Sequence, residues 1–193
     1  VYVCPDGSRY TVLVDDEAAL LLLPDSARRL AHVRSASGAR YAEGEDEFWS
    51  KGEEASFVID GTRVSGCTSD RMAAVWEAAR IRGVDYRAVG NEPGWHLEIV
   101  RMGRTRFVGD YGAMTVEFPT PVAQRDDATG TIRYVGTGDG QDIAITLESR
   151  RCQDTMVDVD YPLTVTIDLD GRRLLGCGRA LGAADEAAGA SAD

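Results

Sequence analysis

Runs of apolar residues in this chain are short, and their rhythm changes twice. Over residues 1–67 they fall at 1–3, 10–14, 18–23, 29–36, 47–50, 55–59 and 62–67, and they are rich in β-branched side chains. The pairs Asp6-Gly7, Pro24-Asp25, Glu43-Gly44 and Asp60-Gly61 punctuate them as turns. Many short strands at close spacing predict a small antiparallel barrel or sandwich. At 69–82 the period lengthens. Met72, Val75, Trp76 and Ala79 recur at helical spacing, with Ser69 placed to cap the start and Gly83 to end it. From residue 85 the β pattern returns, at 95–100, 106–108, 114–118, 131–135, 142–147 and 163–169, with turns at Gly138-Asp139-Gly140 and Asp170-Gly171. The expected fold is therefore mainly β: a small antiparallel β-barrel domain at 1–68, a short linking helix at 69–83 and a second antiparallel β domain at 84–182. Residues 183–193 are small, acidic and low in complexity, and are expected to be disordered.

Composition narrows the partners. The chain has 193 residues, 44% of them hydrophobic, enough for a packed core in each half. Its formal charge of −11 argues against nucleic acid and against an anionic membrane surface, and favours either solubility or a basic partner. The apolar run Leu20-Leu21-Leu22-Leu23 is far too short to span a bilayer. A strand begins at Val1 with no leader ahead of it, and a removed leader or lipid-bearing segment is expected upstream.

Four cysteines, Cys4, Cys67, Cys152 and Cys177, are widely spaced and form no C-x-x-C pair, and the two histidines, His32 and His96, are far apart. This spacing is unlike a structural zinc site and suits disulfides made in an oxidising compartment. Of the three connectivities, Cys4–Cys67 with Cys152–Cys177 is favoured because each bond then staples one half of the chain. No cofactor or metal set is expected.

Lys51 is the only lysine; the other 20 of the 21 basic residues are arginine. An ammonium is a compact charge on a flexible stem, whereas a guanidinium is a planar fork, and a narrow acidic cleft distinguishes them. The runs 34–41 and 47–51 flank an acidic turn at 42–46, so a hairpin would bring Ser37 close to Lys51. Gly38 would allow a bulge or a close backbone approach. A Ser-Lys pair can be a nucleophile and its base, but no S-x-x-K or nucleophile elbow is present. The pair is better suited to meeting carboxylates, as a hydroxyl that donates and accepts beside an ammonium that donates three bonds.

At these residues a resemblance becomes specific. The opening Tyr2-Val3-Cys4, the Asp6-Gly7 turn, Ala36-Ser37-Gly38-Ala39-Arg40-Tyr41, Phe48-Trp49-Ser50-Lys51-Gly52, Ala55 and Cys67 resemble, in order, the periplasmic and membrane-bound inhibitors of c-type lysozyme of Gram-negative bacteria. That family carries S-G-x-x-Y followed by Y-x-x-x-T-K-G. The first pattern is intact; in the second, Ser50 stands for the Thr and Asp46 for the Tyr. The resemblance implies a small antiparallel barrel with a Cys4–Cys67 disulfide, and no enzymatic activity. It implies a c-type lysozyme as partner, bound through Ser37, Gly38, Tyr41, Ser50 and Lys51, with Ser37 and Lys51 in the cleft on its catalytic carboxylates. It also implies a periplasmic protein or one anchored in the outer membrane, facing the periplasm.

Residues 84–182 carry Asn91-Glu92-Pro93-Gly94-Trp95, Asp110-Tyr111-Gly112, Cys152-x-Asp154-x-Met156 and Gly176-Cys177-Gly178-Arg179. These resemble an uncharacterised bacterial envelope domain that is often linked to lipoproteins, which implies a compartment and no reaction. Glu92, His96 and Asp110 fit no acid–base motif. Asp139, Asp142, Asp158 and Asp160 lack an EF-hand pattern and read as turn carboxylates. The rival to an inhibitor is a non-enzymatic envelope binding or assembly module whose main role lies in this second half.

Overall fold

The structure, a computed structural model, describes residues 1–182; the tail expected to be disordered, 183–193, lies outside them. The chain divides into a first compact unit, Val1–Glu77, and a second that starts at Ala78.

In the first unit eight antiparallel strands close a barrel: β1 (Tyr2–Val3), β2 (Arg9–Val14), β3 (Ala18–Leu22), β4 (Ala27–Val33), β5 (Ala39–Glu43), β6 (Asp46–Lys51), β7 (Glu54–Ile59) and β8 (Thr62–Ser69). Each pairs with the next, and β8 returns to β1 through Tyr2–Ser69 and Val3–Thr68. Closure leaves no free edge. Alternate side chains fill the interior, where Leu21, Leu30, Phe48 and Phe57 are at most 1% exposed. Phe48 stacks on Phe57 at 5.1 Å between centroids and on Tyr41 at 5.8 Å. Such ring pairs add to the burial itself.

The closing strand β1 is only two residues long. Beside it Cys4 is bonded to Cys67, and a bulge makes this possible. Phe57 faces Val64 and Ser56 faces Ser65, but Ala55 faces Cys67, so Gly66 is an extra residue in β8. Its φ of 75° suits glycine. Without it, simple alternation would turn Cys67 to solvent; with it, Cys67 is fully buried against Cys4.

The helix α1 (Arg71–Ile81) begins after Asp70, not Ser69. Asp70 is the cap, because its Oδ1 accepts the N–H of Ala73 at 2.8 Å. Gly83, at φ 80°, follows the helix end. Trp76 and Ala79 are buried as expected, but Met72 and Val75 are 54% and 49% exposed, so the buried stripe is narrower than the spacing suggested.

In the second unit the strands are β9 (Tyr86–Asn91), β10 (Gly94–Ile99), β11 (Arg104–Gly109), β12 (Met114–Pro119), β13 (Gln124–Asp126), β14 (Thr131–Gly138), β15 (Gln141–Glu148), β16 (Cys152–Asp154), β17 (Val159–Tyr161), β18 (Leu163–Leu169) and β19 (Arg172–Ala180). Nine of them form one antiparallel sheet in the order β12-β11-β10-β9-β19-β18-β15-β14-β13; β16 and β17 make a separate ribbon. The sheet curls into a half-barrel, so that edge strand β12 reaches β14. There the Glu117 N–H donates to Asp139 Oδ2 at 3.1 Å, and the Phe118 ring lies over Gly136. The concave side holds the core, including Leu97, Phe107, Ile145 and Ile167. The second disulfide, Cys152–Cys177, ties β16 to β19. Both disulfides follow the pairing predicted from stapling each half.

Tyr134 sits in this core at 1% exposure, and among the described residues its hydroxyl has no hydrogen-bond partner. Burial pushes its phenol up to about 12. A buried hydroxyl left unbonded costs about 1–3 kcal/mol. Tyr134→Phe is therefore expected to leave stability unchanged or raise it by up to about that amount, measured as the urea midpoint; a clear loss would show that the hydroxyl is bonded after all.

Candidate functional site

The β5–β6 hairpin runs in register from Glu43–Asp46 at its turn to Ala39–Ser50 at the barrel rim. At that rim the connection from β4 to β5 folds back against the end of β6. A Cβ on Gly38 would lie 2.3 Å from the Ser50 carbonyl oxygen and 3.1 Å from Lys51 Cβ. The φ of Gly38 is 70°. Glycine is thus required twice over, by the conformation and by the contact. The same contact brings the loop that carries Ser37 against the Ser50-Lys51 end of β6.

Side chains fix this loop from two directions. The indole Nε1 of Trp49 donates to the Ser37 carbonyl at 3.0 Å. The Ser35 hydroxyl donates to the Gly38 carbonyl at 2.7 Å and to that of Ser37 at 3.2 Å. The clamping role of Trp49 had no sequence signal, because the loop it grips is defined by a tertiary approach.

What the clamp leaves outward is the Ser37 hydroxyl, for which the described residues hold no partner. Lys51 is exposed as well and has no ion-pair or hydrogen-bond partner among them, although it lies opposite Glu54 in the ladder. The neighbouring Glu53 pairs with Arg71 instead.

The other predicted residues occupy different layers. Tyr41 is 6% exposed and packs between His32 and Phe48 inside the barrel; it supports the hairpin from beneath. Ser50 is half-buried, and its hydroxyl faces that of Tyr2, whose phenol is pushed up by burial and pulled back by Ser50. Arg40 is held by Glu47 on the next strand at 3.0 and 2.5 Å.

Asp46 lies at the turn end of β6, opposite the end that carries Lys51. Arg28 reaches it at 2.6 Å and also grips Asp60 at 2.9 and 3.0 Å, while the Asp60 N–H donates to Asp46 at 2.9 Å. The Arg28 guanidinium, ahead of the Asp60 N–H, holds the Asp46 carboxyl below the ordinary range. The position that departs from the expected Tyr therefore carries an ion-pair knot remote from the rim.

In the second unit, Asp110 pairs with Arg172 at 3.5 Å, while His96 is half-buried with Arg87, Glu98 and Arg106 around it; burial first, then Arg87, lowers its pKa. Asp139, Asp142, Asp158 and Asp160 accept bonds from Glu117 N–H, Thr137, Gln153 and Arg151, respectively. Among the described residues no three His, Cys, Asp or Glu side chains are grouped to hold a metal ion.

The first unit is thus a closed eight-stranded barrel with the Ser37-Gly38 loop and the exposed Lys51 at one rim. Residues 2–64 match the family described as membrane-bound lysozyme-inhibitor of c-type lysozyme (MliC). The match spans the barrel from β1 into β8, which is 63 of the 193 residues, and stops short of the second unit. No curated protein and no solved structure matches the chain.

Two substitutions test the geometry. Gly38→Ala is expected to lower stability by about 1–3 kcal/mol in urea unfolding and to shift the amide resonances of Ser50 and Lys51. Asp46→Asn tests the knot through pH. A carboxyl whose folded pKa is depressed stabilises fully above its unfolded value, about 3.9, and loses that contribution as pH falls through the folded value. The parent should be more stable than Asp46→Asn at neutral pH, with the difference vanishing toward acid; a difference independent of pH would remove the ion pair as its cause.

Proposed function

We propose that the first unit is a protein inhibitor of c-type lysozyme that puts Lys51 and Ser37 into the enzyme's cleft. The observation that carries this reading is the exposed, partnerless Lys51 at the end of β6 that the Ser37-Gly38 loop packs against, on a barrel whose sequence matches a lysozyme-inhibitor family. A retaining glycosidase holds an acid and a nucleophile about 5 Å apart. An ammonium between them can donate to both. The serine hydroxyl can donate to the ionised carboxylate or accept from the protonated acid. Sugar is then excluded by occupation, with no chemistry required of the inhibitor.

Gly38 contributes backbone at the contact, while Tyr41 and Ser50 hold the hairpin from below. The net charge of −11 supports electrostatic steering toward a basic enzyme. The family's printed description as membrane-bound and the oxidised state of all four cysteines support a place in the cell envelope, periplasmic or anchored in the outer membrane and facing the periplasm.

The test is inhibition of purified c-type lysozyme by the full chain and its variants. Lys51→Ala should raise the inhibition constant by the equivalent of about 2–5 kcal/mol, as expected when one member of a desolvated charge pair is removed. Ser37→Ala should cost less, because it removes a neutral donor. Arg34→Ala, just past the end of β4, should matter little. Association should also slow as salt is raised. Undiminished inhibition by Lys51→Ala would overturn the mechanism.

A further inference from the structure

The second unit brings four distant sequence motifs to one place. Asn91 Nδ2 donates to Asp154 Oδ1 at 2.7 Å, joining the β9 end to the β16–β17 ribbon. Cys152–Cys177 joins that ribbon to β19. The Trp95 ring packs over Gly176, and the Tyr111 ring packs on Gly94. Asp110, next to Tyr111, reaches Arg172 on β19 at 3.5 Å. Motifs up to 85 positions apart thus converge where β9, β19 and the ribbon meet, and between them lies a groove of about 500 Å³. That volume suits a molecule the size of a dipeptide or a monosaccharide.

The chemistry of its wall is specific. Asp154 is only 7% exposed. Both bonds to its carboxylate, from Asn91 and from the Met156 N–H at 3.0 Å, fall on Oδ1. Oδ2 accepts nothing among the described residues. Oδ2 is not sealed from solvent, so a donor entering the groove can reach it. On the same groove stand two guanidiniums. Arg173 uses only its Nε, on Asp168 at 3.2 Å, and Arg150 has a single contact, with Glu148 at 3.3 Å. Their remaining N–H groups are suited to a second carboxylate, which arginine grips with two parallel bonds. Leu175, 65% exposed, adds an apolar surface to the same groove.

We infer that this groove is a binding site for a small carboxylate-bearing molecule, whose acid group is held by Arg150 and Arg173 and whose hydroxyl, amide or ammonium donor is held by Asp154. The site lies wholly within the second unit and does not depend on the reading of the barrel. Its chemistry is shared by acidic sugars and acidic peptides, and the test separates them.

Calorimetric titration of the full chain would use N-acetylmuramic acid, N-acetylglucosamine (which lacks the carboxylate) and the dipeptide alanyl-glutamate. At least one of the two acids should bind saturably. Binding of the sugar acid alone assigns a sugar, of the dipeptide alone a peptide, and of both shows that the acid and its donor suffice. Arg173→Gln and Asp154→Asn should each weaken binding about tenfold or more, the loss expected for a bond to a charged group. Arg173 is exposed, so its variant folds and remains decisive if Asp154→Asn loosens the ribbon. Lysozyme inhibition by the same proteins reads the barrel separately. Absence of binding by both acids, equal binding of N-acetylglucosamine, or unchanged affinity in Arg173→Gln would overturn the inference.

Discussion

The barrel depends on how it is closed. Its seam is a strand of two residues, too short to hold by ladder bonds alone, and the Cys4–Cys67 bond lies directly beside it. The Gly66 bulge aims that cysteine inward. From Cys67 the ladder continues across the sheet as a single row, through Ala55 and Ser50 to Ala39. With strands about 4.8 Å apart, that row links the seam to the rim loop in three steps. Closure and site are therefore one mechanical unit, and the residue behind Ser50 in the interior is Tyr2 of the closing strand itself.

Charge is distributed on the barrel in a way that isolates the ammonium. Six of the seven arginines of the first unit have carboxylate partners: Arg9, Arg28, Arg29, Arg40, Arg63 and Arg71. Planar forks suit bidentate and bridging pairs such as Arg28 between Asp46 and Asp60. Individually, exposed pairs of this kind add little to stability. Near Lys51 one of them, Arg71, occupies Glu53. Of the unit's side-chain cations without a carboxylate partner among the described residues, Arg34 and Lys51, the lysine is the one with a compact head, suited to a narrow acidic space.

The fold class was legible because strands such as β10, β15 and β18 alternate cleanly, and because turn pairs stand where hairpins bend. Strands β9 and β19 were not, since they carry Arg87, Arg172, Arg173 and several glycines where apolar residues were expected. Those arginines are held by Glu98, Asp110 and Asp168, respectively, partners brought to them by the tertiary fold with no local signature. At the rim, Ser37, Gly38 and Lys51 could be read from the hairpin and the resemblance. The resemblance put Tyr41 among the contact residues, whereas the structure buries it, because an aromatic in a half-buried strand serves core and contact equally well until its face is known. Trp49 and Asp70 were missed or displaced for the same reason: a clamp and a cap are defined by the backbone they meet.

Because arginine supplies every other basic side chain, these 193 residues offer an acylating reagent a single ε-amine. Lysine acylation, which scatters labels over most proteins, would here write its one side-chain mark at the barrel rim by the Ser37-Gly38 loop. A dye or cross-linker attached there would report directly on whatever approaches that rim, with no residue having to be engineered first.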